Sequence, residues 1–476
     1  MRAVVPSTGA VVLTSSSTGP GDVLGARCAL DTLSTAHRQQ PSARAYTSSE
    51  ARVRSIGQHR QAVATLLAPV LGGLGSERRS LAALATASDA GRGYRVLAAA
   101  VHAPVPLPTF DNSQMDGFAV RAADAGAVVR VVDPIPAGIV PAPLDPGTAA
   151  PVMTGARIPD GADAVVPVES VPPGAFPAAM ALDVLTVPVD TTVGTFVRTV
   201  GSDVAAGAEL APAGAPVTPA LLGALAAAGI DAVDVVRPLR VLVVSTGSEL
   251  RDDSTDPGAG AGADAGADAA ATIGDANGVA LQAALAEVGA RSRTVRLRDD
   301  PDRFVDALGE AIGDPGVDGA DLVLTTGGIS AGAYEVVRQA LEPLGLAVTP
   351  VAVQPGGPQA LGTVALGGRP VPVVAFPGNP VSALVSFELF LRPVLAPLVG
   401  APDRAAAELP AAEGTTSPPT KHQVRRGRVQ DGRVWFVGGP SSHLLGHLAA
   451  ATHLVHVPVG TDTVAPGDPL TVWSLR

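Results

Sequence analysis

Between residues 237 and 399, short runs of Val and Leu alternate with longer stretches of helical periodicity, and no other feature limits the fold of this chain so sharply. The strand candidates are Leu239 to Ser245, Ser292 to Leu297, Asp321 to Thr326 and Val371 to Phe376. Helical stretches follow at Asn277 to Val288, Pro301 to Ile312, Ala333 to Leu344 and Val381 to Leu398. Each is long enough to cross over between parallel neighbours, so this segment is expected to be a three-layer α/β domain around a mostly parallel sheet. Ligands of such sheets bind beyond the carboxyl ends of the strands.

Four turns at those ends carry candidate chemistry. After Asp321 to Thr326 comes Gly327-Gly328-Ile329-Ser330-Ala331-Gly332, expected to open a helix whose free N–H groups and positive dipole end hold an anion; an ordinary glycine turn capped by Ser330 is the alternative. In Pro377-Gly378-Asn379-Pro380-Val381-Ser382, two prolines fix the backbone and leave Ser382 near a helix start, suited to phosphate or carboxylate, or to a purely structural turn. Ser245-Thr246-Gly247-Ser248-Glu249-Leu250 offers hydroxyls and one carboxylate, Glu249, of the kind that binds magnesium. Asp275 stands immediately before a helix, as N-cap or as ligand.

The 476 residues are enough for about three domains. Residues 1–52, rich in Ser, Thr, Gly and Ala, read as a flexible extension. Residues 53–100 and 195–236 are expected to form one discontinuous, elongated helical unit, with helices near Ile56 to Leu71 and, opened by Ser76, from Glu77 to about Ser88. The unit flanks a small β domain at 101–194, and 400–476, with short apolar runs between Pro and Gly turns, reads as a C-terminal β-barrel. The Gly-, Ala- and Asp-rich stretch 251–272 cannot bury enough apolar area to offset chain entropy and reads as a mobile loop. Its Gly258-Ala-Gly260-Ala-Gly262 lacks the flanking strand and helix of a dinucleotide fingerprint.

Formal charge is −11, from 33 Lys and Arg against 44 Asp and Glu, which argues against a general nucleic-acid or anionic-membrane surface. A single cysteine, Cys28, allows no disulfide within one chain and no cysteine-based zinc cluster. No run approaches 18 uninterrupted apolar residues, and the first residues lack the pattern of a signal peptide, so a cytoplasmic protein is expected. His443 and His447, at helical spacing, with His453 and His456 nearby, are a rival signal for zinc, but no acidic base completes an H-E-x-x-H pattern, and Ser441, Ser442 and His443 read better as a loop of the terminal domain. Arg425, Arg426 and Arg428 read as a solvated strand edge, with a supply of positive charge in place of missing lysines as the alternative.

Two further polar groups lie in the β region: Asp111-Asn112-Ser113-Gln114-Met115-Asp116 and the turn from Met153 to Asp163, with Thr154; Asp203 follows where the chain leaves that region. In order and spacing, D-N-S-Q-M-D-G-F-A-V from Asp111, V-M-T-G-A-R-I-P-D-G-A-D-A-V-V from Val152, S-T-G-S-E-L from Ser245, T-G-G-I-S-A-G from Thr326 and P-G-N-P-V-S-A from Pro377 resemble the molybdopterin molybdenumtransferase family, the MoeA type that includes the C-terminal domain of gephyrin. The resemblance spans about residues 55–476. It implies a four-part subunit in a homodimer, acting on adenylylated molybdopterin and molybdate with Mg2+ to give molybdenum cofactor and AMP, in a cleft between subunits. By the same resemblance Asp203, Glu249 and Asp275 match the metal and molybdate carboxylates, and Asp111, Ser113, Asp116 and Thr154 match positions lining the cleft opposite. Thr246, Gly327, Gly328, Ser330, Glu335, Pro377, Gly378, Asn379 and Ser382 are the remaining candidate substrate contacts, Ser330 and Ser382 for the pterin phosphate or adenylate. A molybdopterin adenylyltransferase is the implied possible partner.

The chain departs from the family pattern in one charged element. Where many members read K-x-x-x-K-P-G-K-P, this sequence has Pro350, Gln354 and Gly357 in place of the three lysines, followed by Pro358. A cation about 4 Å from an anion is worth about 4 kcal/mol at an effective dielectric of about 20, so the loss bears on anion affinity. Glu335 stands where Asp is common, and Phe118 where Tyr is common. A noncatalytic molybdopterin-binding paralogue, and a molybdopterin adenylyltransferase, are the competing expectations.

Overall fold

The computed structural model describes residues 53–86, 95–179, 181–250, 273–313, 319–330 and 335–475. The expected flexible extension with Cys28, the expected mobile loop 251–272, and Ala331 and Gly332 lie outside the described residues.

A six-stranded sheet organises the α/β region. Its strands lie in the order Arg291–Leu297, Arg240–Thr246, Leu322–Thr326, Arg369–Phe376, Pro358–Leu366, Ala347–Pro350. The first four are parallel. Pro358–Leu366 runs antiparallel to both of its neighbours, a return the sequence reading did not foresee. Its signal was the Gly367-Gly368 pair: both residues have positive φ (56° and 80°), the backbone that a two-residue hairpin turn requires.

Alternate side chains of these strands face two separate cores. Val241 and Val243 pack with Leu281 and Leu285 of the helix Ala276–Glu287 and with the 380–395 helical segment. Leu242 and Val244 pack with Phe304 and Leu308 of Pro301–Ile312 and with Val337 and Leu341 of Val336–Leu341. Helices therefore cover both faces, and the loops at the strand ends are left free to build a site. Pro380–Val399 is long and apolar enough for a membrane span by those measures alone, but 72% of its apolar window is buried inside the fold. It is a core segment.

The helix Ile56–Gly72 is opened by a capping box, in which Ser55 accepts from the Gln58 N–H and Gln58 returns a bond to the Ser55 N–H, and it buries Val63 and Leu67 in the first of those cores. The expected second helix from Glu77 to Ser88 is corrected. Ser76–Ser80 is a strand, paired antiparallel with Ala232–Val236, and only Leu81–Ala85 is helical, capped by Ser80 rather than Ser76. Pairing with a strand some 150 residues away satisfies the backbone of a segment whose local pattern looked helical. A second long-range pair, Val101–His102 with Glu209–Ala211, lies in the same part of the chain.

Residues 117–186 hold a five-stranded sheet ordered Ala164–Pro167, Gly117–Val120, Thr148–Val152, Val128–Val131, Val184–Thr186. Towards the C-terminus, Val353–Gln354, His422–Gln430, His453–Val457, Pro469–Ser474 and Ala406–Pro410 are successive neighbours, with Arg433–Phe436 on the side of His422–Gln430. A single bridge from Ala411 to Val434 brings the two flanks of this sheet together.

Candidate functional site

A cavity of about 740 Å³ opens where three parallel strands end, at Thr246, Thr326 and Phe376. Its floor is two glycine turns packed back to back. Gly327 has φ +89°, and a Cβ there would lie 2.9 Å from Thr246 Oγ1; a Cβ on Gly378 would lie 3.2 Å from Gly327 Cα. The Thr246 hydroxyl donates to the Thr326 carbonyl at 3.2 Å, so the two strand ends are tied at the floor itself.

Glu249 and Asp275 both line this cavity, although 251–272 separates them in sequence. A bridge between Leu250 and Ile273, with the Ile273 N–H donating to the Glu249 carbonyl at 2.8 Å, explains their proximity. Asp275 caps the following helix by accepting from the Gly278 N–H at 2.8 Å, so it is an N-cap that also faces the cavity. Asn277, the second residue of that helix, donates to the Gly378 carbonyl at 2.7 Å and locks the Pro377-Gly378-Asn379 turn against it. Asn379 and the buried Ser382 complete this side.

Two expected anion donors are otherwise engaged. The Gly327 N–H continues the sheet by donating to the Phe376 carbonyl at 3.1 Å, and the Ser330 N–H donates to the Glu335 carboxylate at 2.8 Å. The helix after this turn starts at Val336, with Glu335 as its first flanking residue, so its N-terminus is not at the glycines. Ser330 and Gly328 still line the cavity.

Sequence reading missed Asp299, a fourth carboxylate beside Glu249, Asp275 and Glu335 on the cavity wall. It accepts from the Ser248 N–H at 2.9 Å and follows the strand Arg291–Leu297, so the strand-end rule applied to that strand too would have found it. Gln354 and Pro358, from the lysine-free element, also face the cavity, and no Lys or Arg is among its described lining residues.

Pro440, Ser441 and Ser442 close one wall, held from behind by an arginine. Arg426 is 2% exposed and donates to the carbonyls of Val437, Gly439 and Ser441. Arg425, 5% exposed, donates to the Thr415 hydroxyl and the Gly438 carbonyl and stacks on Phe436. The reading of these two as a solvated strand edge is therefore corrected: both side chains are buried, and the carbonyls of the 437–441 loop and the Thr415 hydroxyl give their guanidinium groups the partners that burial demands. Arg428 donates to the Ala450 carbonyl.

Asp203, Asp111, Ser113, Asp116 and Thr154 do not line the cavity. They lie in another part of the chain, around the pairing of Asn112–Ser113 with Val197–Arg198. Asp111 accepts from the Val200 N–H at 2.6 Å, and the Asp203 N–H donates to the Leu107 carbonyl at 3.0 Å. The Thr154 N–H and hydroxyl both donate to Asp116, at 2.6 and 2.8 Å, and these bonds hold the Asp116 carboxyl below its usual range. Ser113 is buried and donates to the Met115 carbonyl. The chain thus presents two constellations, one with Glu249 and Asp275, one with Asp203.

The histidine zinc reading is overturned. Among the described residues no three His, Cys, Asp or Glu side chains converge as metal ligands. His443 precedes the short helix Leu445–Ala450 and bonds Ser441, so its helical spacing to His447 is not realised. His456 is bonded to His422 at 3.0 Å and stacks on Trp473; burial, with the charges of His422 and Arg60, pushes it down to about 3.

With this geometry in view, comparison with known proteins is specific. Residues 54–229 match the MoeA N-terminal region (domains I and II), and 242–397 match a family described as a probable molybdopterin binding domain. Molybdopterin molybdenumtransferase 2 of Mycobacterium tuberculosis is 41% identical over 400 residues, covering 80% of this chain and 92% of that protein. The molybdopterin molybdenumtransferase of Synechococcus elongatus is 34% identical over 396 residues, covering 80% and 92%. The crystal structure of the molybdopterin biosynthesis MoeA protein of Pyrococcus horikoshii, 23% identical, shares the fold with a TM-score of 0.65 over 89% of this chain and all of that one. Matches of this extent, over a cavity that brings together the signature turns at Glu249, Gly327 and Gly378, establish that the chain belongs to the molybdopterin molybdenumtransferase family.

Proposed function

We propose that this chain is an enzyme of molybdenum cofactor biosynthesis that inserts molybdenum from molybdate into adenylylated molybdopterin and releases AMP. One observation carries the reading: in a member of this family, Glu249 and Asp275 meet the Gly327-Gly328 and Gly378 turns in one strand-end cavity.

The donor set suits magnesium. Glu249 and Asp275 offer carboxylate oxygens with no nitrogen or sulfur ligand beside them, and a hard cation that retains water and substrate phosphate oxygens needs only one or two such groups. Bound there, magnesium would neutralise charge on the phosphoanhydride bridge as it is cut. The chain's own residues bind and orient. Ser330, Ser382, Ser441 and Ser442 supply hydroxyls toward oxyanions, Asn277 holds the Gly378 turn, and Arg426 fixes the serine wall without touching substrate.

We further read the second constellation as the part that a second copy brings to the cavity, with Asp203 joining Glu249 and Asp275, and Asp111, Ser113, Asp116 and Thr154 lining the cleft opposite. In its favour, the loops carrying these residues also expose Phe110, Met153, Phe196 and Val200, apolar side chains suited to an interface. The same reading takes the chain as a cytoplasmic homodimer of four-part subunits, the C-terminal sheet closing as a small barrel through the Ala411–Val434 bridge. A molybdopterin adenylyltransferase would deliver the adenylylated substrate.

The test is AMP release by the purified protein from adenylylated molybdopterin. Release that depends on added molybdate is expected; tight binding of the substrate without release under molybdate would overturn the assignment.

A further inference from the structure

The elements that line the cavity are gathered a second time, away from it, by Arg404. The helix Ala276–Glu287 starts at the cavity with Asp275 and ends at Glu287, about 18 Å further on. The segment from Pro380 also starts at the cavity, with Asn379 and Ser382, and carries Glu388 and Arg392 along its length. Arg404 lies in the link between that segment and the strand Ala406–Pro410. It grips both oxygens of Glu388, at 3.0 and 2.7 Å, donates to Glu287 at 2.9 Å, and reaches the Leu475 carbonyl, just past the strand Pro469–Ser474, at 3.4 Å. Arg392 completes the set, donating to Glu287 at 3.2 Å and to the Pro402 carbonyl at 3.3 Å.

Burial makes this cluster costly. Glu388 and Arg392 are 7% and 6% exposed, and Glu388 is the one buried carboxylate among the described residues. Apolar side chains of similar volume often hold an interior at least as well as a buried ion pair, so stability does not account for these charges. What a guanidinium fork adds is direction: it fixes the groups it joins relative to one another, where apolar surfaces could slide. From Arg404 a run of bonds leads on to the serine wall. The Leu475 N–H donates to the Thr452 carbonyl and the Thr452 N–H to the Gly427 carbonyl, each at 2.9 Å, and the adjacent Arg426 holds the Ser441 carbonyl.

We propose that Arg404 is a positioning residue, which through Glu388, Glu287 and Leu475 sets where the Ser441-Ser442 wall stands against the helix starts at Asp275 and Ser382. Arg404 is not among the lining residues of the cavity, so it acts through the elements it joins. The kinetic consequence rests on the reaction assigned above, whereas the placement itself is measurable without turnover.

The test measures both. In full-length protein carrying Cys28→Ser, spin labels at Asp306→Cys in the α/β region and Arg433→Cys in the C-terminal sheet, both exposed positions, report the distance distribution between the two parts by pulsed electron paramagnetic resonance. Glu388→Met with Arg404→Met removes one charge of each sign, so this double variant is expected to keep its thermal midpoint while the distribution widens. In the unlabelled enzyme the same pair is expected to raise KM for adenylylated molybdopterin about tenfold with kcat nearly unchanged, since the serine wall binds substrate. Arg404→Lys keeps the charge but not the fork, and is expected to show a smaller change in both readouts. An unwidened distribution, or wild-type KM, in the double variant overturns the proposal. If the double variant fails to fold, Arg404→Lys decides, and wild-type distances or wild-type KM there overturn it. No AMP release from the unsubstituted enzyme, with a distribution that still widens on substitution, refutes the reaction and upholds the placement by Arg404.

Discussion

Replacing Gly327 by Ala perturbs the cavity floor at the point where three strand ends meet. The backbone there has φ +89°, which a residue with a Cβ adopts at a cost of about 1–2 kcal/mol. The new methyl would lie 2.9 Å from Thr246 Oγ1 and 3.0 Å from the Thr246 carbonyl oxygen. Neither can yield freely, since the carbonyl is backbone and the hydroxyl is held by Thr326 at 3.2 Å; such overpacking costs about 1–3 kcal/mol. The expected loss is about 2–5 kcal/mol, read as a lower midpoint in urea denaturation followed by circular dichroism, together with reduced AMP release because Thr246 and Gly378 shift. Gly229→Ala is the control. Its φ is +75°, but no atom lies within 4 Å of the added methyl, so only the backbone cost of about 1–2 kcal/mol applies. If Gly327→Ala matches Gly229→Ala in stability and keeps full turnover, the packing argument for the floor is wrong.

Three further outcomes follow from the structure. His59 and His456 are buried, and burial first, then nearby positive charge, lowers them to about 4 and about 3 from the usual 6.5. The unfolded chain therefore binds protons that the folded one refuses, so stability should fall as pH drops from about 6.5 toward 4, and thermal scans of His59→Leu should show a shallower acid slope. Arg426→Met removes a buried guanidinium that donates to three carbonyls of the 437–441 loop; a loss of about 1–3 kcal/mol and a raised KM for the adenylylated substrate are expected, and unchanged kinetics would separate Arg426 from the serine wall. Asn277→Ala removes the 2.7 Å bond to Gly378, and should cost about 1 kcal/mol while lowering turnover, with no change in either counting against a role for that link.

The chain's central sheet was legible because buried parallel strands read as continuous Val and Leu runs, and all four strand candidates lie in its parallel part. What escaped was non-local. Ser76–Ser80 became a strand only through Ala232–Val236, and Pro358–Leu366 found its antiparallel place through a glycine hairpin rather than a crossover helix. At the site, Glu249, Asp275 and the glycine turns were visible because each follows a strand, whereas hydrogen-bond allocation was not. Nothing in the string T-G-G-I-S says that the Gly327 amide serves the sheet and the Ser330 amide serves Glu335. Buried arginines were misread for a related reason: Arg425 and Arg426 look exposed by residue type until the carbonyls of the 437–441 loop supply partners.

The central claim is that Glu249 and Asp275 act together on the substrate's phosphates, and the rate of molybdate-dependent AMP release as a function of magnesium concentration tests it most directly. For Glu249→Gln and Asp275→Asn, substitutions that keep size and, at 275, a capping side chain, the account predicts release slowed about tenfold or more and a shifted magnesium dependence, with unchanged thermal midpoints. Wild-type rates and magnesium response in both variants would contradict it.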